Sequence, residues 1–403
     1  MKEEVEILVV GGGPAGLLTA AYLAERHRVA LIERGVLGET TKYWATSLRR
    51  LEKHGLRDCV LYKPTAMIVG TFLGGYLETS GDLVVVDDQL LMHRLVERCR
   101  SRGVMLAEQC SLLNLSWTEK RLHIQTTSDS YTTRLVIDAS GGQSPIAATF
   151  RLHKLYGFFS VYGALLRNIR LHTKDMVLAY VEHLGDPPPI VEVFPCGDDS
   201  AYCCVFLYSK QLVPLHKLET AFRTHCRHNS FFSISDQTEF VTPKMGAIPI
   251  GRARRRHLAG IVPMGEAGLV QPPLLGSAFN EVLEYCQEVC SHVSRVLGDV
   301  SGVPPKPSYQ YPLLKRVQDR LQLQLMRALL DGDIAVFDRL VRIMSKLPSK
   351  TVYNFCSNEL SWREMLEVVV RLPYDSLALT GMLLYGGRND GILRRPGSKT
   401  GAA

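Results

Sequence analysis

Val5-Glu6-Ile7-Leu8-Val9-Val10, then Gly11-Gly12-Gly13-Pro14-Ala15-Gly16, then a run from Leu17 to Arg26, then Val29-Ala30-Leu31-Ile32-Glu33-Arg34: this stretch decides the fold. The first apolar run reads as a short buried parallel strand, Leu17 to Arg26 as a helix, and Val29 to Ile32 as a second strand. G-x-G-x-x-G thus stands between a strand and a helix, with an acid twenty positions after Gly13. Each glycine has a mechanical reason to be there. Gly11 permits the tight turn, Gly13 lets backbone approach a pyrophosphate, and Gly16 lets the helix pack on the sheet. The helix start then offers unpaired N–H groups to phosphate, and Glu33 accepts from ribose hydroxyls. A glycine turn in any strand–helix–strand unit shares part of this pattern. Strand, glycines, helix, second strand and acid together point to a dinucleotide.

Outward from that motif, the chain has 403 residues, which predicts two or three folding units. Apolar residues make up 46% and charged ones 22%, which excludes a largely disordered chain. The net charge of +7 is too mild to suggest nucleic acid, though a basic patch suits an anionic membrane surface. No run approaches the ~18 apolar residues of a spanning helix. The apolar run at Val5 leaves no room for a signal peptide, so the expectation is a cytoplasmic protein with reduced thiols, free to sit on the inner face of a membrane. Cys286 and Cys290 share a helix face, which predicts core packing; no metal site is expected.

Two further segments fit a large nucleotide-binding unit. Arg134 to Gly142 reads as a strand breaking into the acidic, glycine-rich turn Asp138-Ala139-Ser140-Gly141-Gly142. Leu258 to Gly268 reads as a strand ending in Gly265-Glu266-Ala267-Gly268, with Pro272, Pro273 and Gly276 ahead of a helix from Ser277 to Leu297. Between them, from about 151 to 250, short apolar strands alternate with turn clusters such as Gly185-Asp186-Pro187-Pro188-Pro189. An antiparallel sheet is expected there; its apolar face suits an apolar substrate or a plain sheet core. After Tyr311 the apolar spacing is helical, and Arg388, Arg394, Arg395 and Lys399 lie in a glycine-rich, flexible tail. The expected fold is α/β: a Rossmann-like unit with an inserted antiparallel sheet and a C-terminal helical region. The nucleotide unit is assigned to 1–65, 83–150 and 250–305, the substrate unit to 66–82 and 151–249, the helical region to 306–385 and the basic tail to 386–403.

The N-terminal wording, with Pro14-Ala15 inside the motif and Glu33-Arg34 after the second strand, resembles FAD-binding Rossmann proteins. The resemblance implies that Asp138, Gly141, Gly265, Glu266, Gly268 and Gly276 also serve FAD. In such proteins the last segment holds the ribityl chain and aims a helix start at the flavin. Asp138-Ala139-Ser140-Gly141, Tyr43-Trp44-Ala45, Gly246-Ala247-Ile248-Pro249-Ile250-Gly251 and the tail around Tyr353-Asn354-Phe355-Cys356-Ser357 narrow this further. They resemble the lycopene cyclases, within the superfamily of geranylgeranyl reductases and aromatic hydroxylases. Segment 246–251 is similar to an Ile-Pro turn of that family.

That resemblance implies cyclisation of an apolar isoprenoid, with reduced FAD stabilising a cation and NAD(P)H as external reductant. One departure bears on the acid. The family's Phe-Leu-Glu-Glu-Thr segment reads Phe206-Leu207-Tyr208-Ser209-Lys210 here, and an expected acidic pair is replaced by Arg49-Arg50. Two candidates remain for the proton: the Tyr208 phenol, ordinarily a weak acid with pKa about 10, and Glu266, which is either an acceptor for the ribityl chain or a flavin-proximal acid. Reduction or oxygenation of the substrate on the same scaffold, and flavin binding without catalysis, are the alternatives. The basic run Arg252, Arg254, Arg255, Arg256 and His257 suits a solvated turn or a membrane patch.

Overall fold

The structure is a computed structural model that describes residues 2–118, 121–173, 175–254, 258–298, 309 and 311–371. The basic tail, the end of the assigned helical region and Arg255, Arg256 and His257 lie outside these residues.

Strand β1 (Ile7–Val10) is wholly buried and runs through the glycine loop into helix α1 (Pro14–Leu23), which returns to β2 (Val29–Ile32). The chain then leaves this layer for a hairpin, β3 (Ala66–Thr71) and β4 (Tyr76–Thr79). Helix α2 (Asp88–Ser101) brings it back; its start is fixed by the Asp87 carboxylate, which accepts from the Leu90 N–H. Strands β5 (Met105–Ala107) and β6 (Leu135–Asp138) follow. A second excursion comprises β7 (His153–Arg167), β8 (Met176–Val181), β9 (Ile190–Pro195), β10 (Ser200–Ser209), helix α3 (Leu215–His228) and β11 (Glu239–Ala253). The chain returns through β12 (Ile261–Pro263) and helix α4 (Ala278–Leu297). It continues as helices α5 (Leu313–Leu330), α6 (Ile334–Met344), α7 (Ser349–Cys356) and α8 (Trp362–Arg371).

Two main sheets result. One is parallel throughout, in the order β12-β6-β1-β2-β5. The other has seven strands in the order β11-β7-β10-β9-β8-β3-β4, antiparallel except where β8 meets β3. The expected α/β fold is therefore present. The parallel sheet packs on α1, α2 and α4, burying Val9, Leu17, Leu31, Leu91, Val282 and Leu283. Each such side chain contributes about 1.5–3 kcal/mol relative to exposure. Cys286 and Cys290 lie in this same core, Sγ to Sγ 3.9 Å, and the ten cysteines are free. No metal-binding cluster occurs among the described residues.

The seven-stranded sheet has two different faces, set by strict alternation. Tyr162, Ala164, Val191, Val193, Cys203 and Val205 point outward beneath Leu218 and Phe222 of α3. The opposite, inner face carries Phe159 and Tyr208, capped by Leu323, Met326 and Leu329 of α5. The expected turn at 246–251 is corrected here: these residues lie inside the long strand β11, with Pro249 opposite Phe158. Strand β11 is the sheet edge, where a proline without an N–H costs no ladder bond.

The C-terminal helices are fastened to the nucleotide layer by Arg50, which is 1% exposed. Its guanidinium donates to Glu284 at 3.2 Å and to the Ser357 carbonyl at 3.1 Å, and pairs with Glu359 at 3.2 Å. The Arg49-Arg50 departure is thus a structural tie.

Candidate functional site

The glycine loop is shaped around an open space. Gly11 has φ of +109°, and a Cβ there would lie 2.4 Å from the Ala139 carbonyl oxygen. A Cβ on Gly16 would lie 1.9 Å from the Gly11 carbonyl oxygen, so only glycine lets α1 approach the turn. Gly13 differs: a Cβ there meets nothing within 4 Å. Gly13 also caps α1 without a side-chain bond, and Pro14 and Ala15 open the helix, so its first N–H groups face that space unsatisfied by a cap. The cradle fits a diphosphate.

The other expected cofactor residues gather around it. Glu33 accepts from the Gly12 N–H at 2.6 Å and the Gly35 N–H at 2.8 Å, which ties the end of β2 to the loop; Arg34 beside it is exposed. Asp138, fully buried at the end of β6, accepts from the hydroxyls of Ser140 and Ser144, both at 2.6 Å. Burial raises its carboxyl above the ordinary range, and those hydrogen bonds oppose the rise. Gly265 packs on Ala15, its missing Cβ 3.1 Å from that methyl, which joins the third segment to the first. Gly268 lies against the Pro263 carbonyl, and Gly276, at φ +65°, against Ile248 of β11. The nearest group to a Cβ on Gly141 is Glu266, at 4.0 Å.

Glu266 sits where these segments meet the seven-stranded sheet. One carboxylate oxygen pairs with the Lys42 ammonium, and the other accepts from the Gly142 N–H at 3.1 Å. This is the geometry of an acceptor, one of the two roles open to it from sequence. Beyond it, the Lys244 ammonium pairs with buried Asp88, lies 4.3 Å from the Tyr43 ring centre and donates to the Lys42 carbonyl at 3.4 Å. Tyr43 in turn stacks on Tyr202 at 3.8 Å, and the Tyr202 hydroxyl donates to Asp88 at 2.9 Å. Tyr208 stands elsewhere on the inner face, packed against α5. Burial, then the charge of Asp186, pushes its phenol up to about 12, so it is a poor proton donor.

The residue that sequence reading missed is Glu192. It lies on β9, opposite Cys204 of β10 and Ala179 of β8. Flanking it on the same inner face are Ile190 and Phe194, with Phe206 and Val161 across the neighbouring strands. All of these keep partial exposure, as do Ile248, Leu274 and Phe337 packed around them, although helices cover this side. That incompletely covered apolar strip is taken as the cleft of this face. Glu192 makes no hydrogen bond or ion pair among the described residues. Desolvation alone pushes its carboxyl up from 4.5 to about 7. The signal was present in Ile190-Val191-Glu192-Val193-Phe194: one carboxylate in the middle of an otherwise apolar strand.

Comparison with known proteins agrees with this architecture. The sequence matches the family model described as lycopene cyclase protein over residues 6–381. No match was found among curated proteins. A solved geranylgeranyl bacteriochlorophyll reductase-like protein from Thermoplasma acidophilum superposes with a TM-score of 0.74 at 14% identity, covering 95% of this chain and 100% of that one. A flavin-dependent brominase gives 0.68 at 11% identity over 93% and 100%. A halogenase solved in complex with phloroglucinol and FAD gives 0.62 at 11% identity over 94% and 86%. At these identities the likeness is one of fold.

Proposed function

The chain belongs to the lycopene cyclase protein family, and from that premise we propose that it is an FAD-dependent enzyme of isoprenoid or carotenoid-type metabolism. Its reaction on this reading is a redox-neutral cyclisation or isomerisation of an apolar polyene, with NAD(P)H as external reductant. Gly11, Gly13, Pro14, Ala15 and Gly16 would hold the diphosphate, Glu33 with Arg34 beside it the ribose end, and Asp138, Gly141 and 265–268 the ribityl chain, with Gly276 at the flavin edge. When bound, reduced flavin supplies a negative ring that favours a cationic substrate.

The observation that carries the reading is the junction itself. An apolar inner face runs from Tyr208 through Phe206 and Ile190 to Tyr202, and the Lys244–Lys42–Glu266 chain joins its edge to the Gly141-Gly142 turn that follows β6. The apolar wall would bind a hydrocarbon by desolvation, and the covering helices would keep water from a reactive cation. Product mass tests it: purified protein with FAD, a reductant and candidate polyenes should give a product of unchanged mass. The redox alternative draws on Tyr208, whose phenol cannot replace the family's carboxylic acid. Gain of two hydrogens or of one oxygen would establish it, and no product with bound flavin would mark a binding protein.

Access to such a substrate calls for peripheral contact with a membrane. No helix among the described residues is long and apolar enough to cross one. Helix α8 instead exposes Trp362, Leu366 and Val370 at 57%, 65% and 72%, one stripe at helical spacing. Sedimentation with anionic vesicles, weakened by Leu366→Glu, is the expected result; equal binding of the variant would remove α8 from the contact.

A further inference from the structure

We propose that Glu192 is the acid that delivers a proton to the alkene of the bound substrate. The inference rests on the reading above that the protein acts on an unsaturated hydrocarbon, and it supplies the proton source which the family segment at 206–210 lacks. Among the described residues four carboxylates come near the inner face, and of these Asp186, beside Tyr208, is exposed to solvent. Asp88 is paired with Lys244 and Glu266 with Lys42. Of the remaining three, Glu192 alone has no cation or donor among the described residues.

Its surroundings explain how it stays that way. Along its row across the sheet stand Val69, Ala179, Cys204 and Gly163, and only beyond Gly163 comes Lys244, which is turned to Asp88. A Cβ at Gly163 would lie 2.7 Å from Cys204 Sγ, so the glycine keeps room for that thiol beside the carboxyl. A carboxyl mid-strand on an apolar face is ordinarily replaced by valine or given a partner, since burying it alone is costly. Its retention here, in a cleft and with its acid form favoured, is the pattern of a group poised for proton transfer.

The step balances within the substrate and this side chain. The Glu192 O–H bond breaks as its proton forms a C–H bond at the terminal alkene carbon. The alkene pair is consumed in that bond and leaves a cation at the adjacent carbon. The internal alkene closes on the cation by a C–C bond, and the proton then lost from the neighbouring carbon returns to the carboxylate. No oxidant or reductant is consumed.

The test uses the full-length FAD-loaded protein with Glu192→Gln and Glu192→Asp. Glu192→Gln should keep flavin content and lower turnover roughly 10²–10⁴-fold, while Glu192→Asp keeps part of the activity. Turnover of Glu192→Gln within threefold of the wild type would overturn the proposal. A wild-type product heavier by two hydrogens would overturn the cyclase reading alone, because reduction also needs a proton, and loss of that product in Glu192→Gln would uphold the acid. A product gaining oxygen would overturn both. Infrared difference spectra without substrate give an independent readout: a protonated-carboxyl band near neutral pH that vanishes in Glu192→Gln is expected, and absence of that band in the wild type would overturn the proposal whatever the reaction.

Discussion

Replacing Glu192 with glutamine should change how stability depends on pH, even without flavin or substrate. In the folded protein desolvation holds this carboxyl at about 7, against 4.5 for the ordinary group. Below pH 4.5 both folded and unfolded chains carry the proton, and the contribution favouring the fold is complete. As pH rises from 4.5 towards 7, the unfolded chain gives up its proton while the folded chain retains it, so stability is lost at about 1.4 kcal/mol per pH unit. Above 7 both states are ionised and the loss levels off near 3 kcal/mol, the cost of an unpartnered carboxylate in that cleft. Glutamine has nothing to titrate. Thermal melts of wild type and Glu192→Gln from pH 4.5 to 8 should therefore diverge in favour of the variant. For a chain of this length, about 3 kcal/mol corresponds to roughly 3–4 °C in Tm. A Tm difference that stays constant across the range would refute the desolvated carboxyl and the enclosed cleft together.

Gly13→Val should leave a colourless protein that still melts cooperatively, because its Cβ enters open space suited to a diphosphate and meets no protein atom within 4 Å; full flavin content by absorbance would misplace the cradle. Glu266→Gln should release Lys42 and the Gly142 loop, weakening FAD binding, with activity recovered by excess FAD. Failure of excess FAD to restore it would return Glu266 to the role of acid. Arg50→Ala should cost about 1.5–3 kcal/mol, since the Ser357 carbonyl loses its buried charged donor while Glu284 and Glu359 keep Arg49 and Lys53 nearby; a loss under 1 kcal/mol by denaturant titration would show that the C-terminal helices do not depend on this tie.

The dinucleotide layer was legible because its constraints are local. Gly11, Gly16 and the flanking strands can each be read within thirty residues, and the structure puts Gly265 beside Ala15 of the helix that the glycine pattern already implied. Strand length was harder to read. His153–Arg167 and Glu239–Ala253 each run for 15 residues because they zip onto one another, and pairing partners ninety residues apart leave no mark in local periodicity. The Pro249 reading failed for the same reason, since only topology reveals that β11 is an edge. The proton-handling residues were the least legible part. Glu266 drew notice by standing in a motif, whereas Glu192, Lys244 and Asp88 acquire their surroundings only when β9 and β11 join one sheet and α2 meets its edge.

The interleaved course of the chain also constrains its biogenesis. The edge strand Ile261–Pro263 and the Gly265 contact with Ala15 close a layer whose Ile7–Val10 strand is made about 250 residues earlier. At about 5–20 residues per second, the glycine loop waits roughly 10–50 s for that partner to leave the ribosome. For the later half of that interval Leu135–Asp138 has no neighbour on one side, and both excursions into the seven-stranded sheet must begin before either layer is complete. A protein drawn this way keeps unpaired strand edges exposed while the ribosome finishes, the state in which chaperones or early cofactor capture would act.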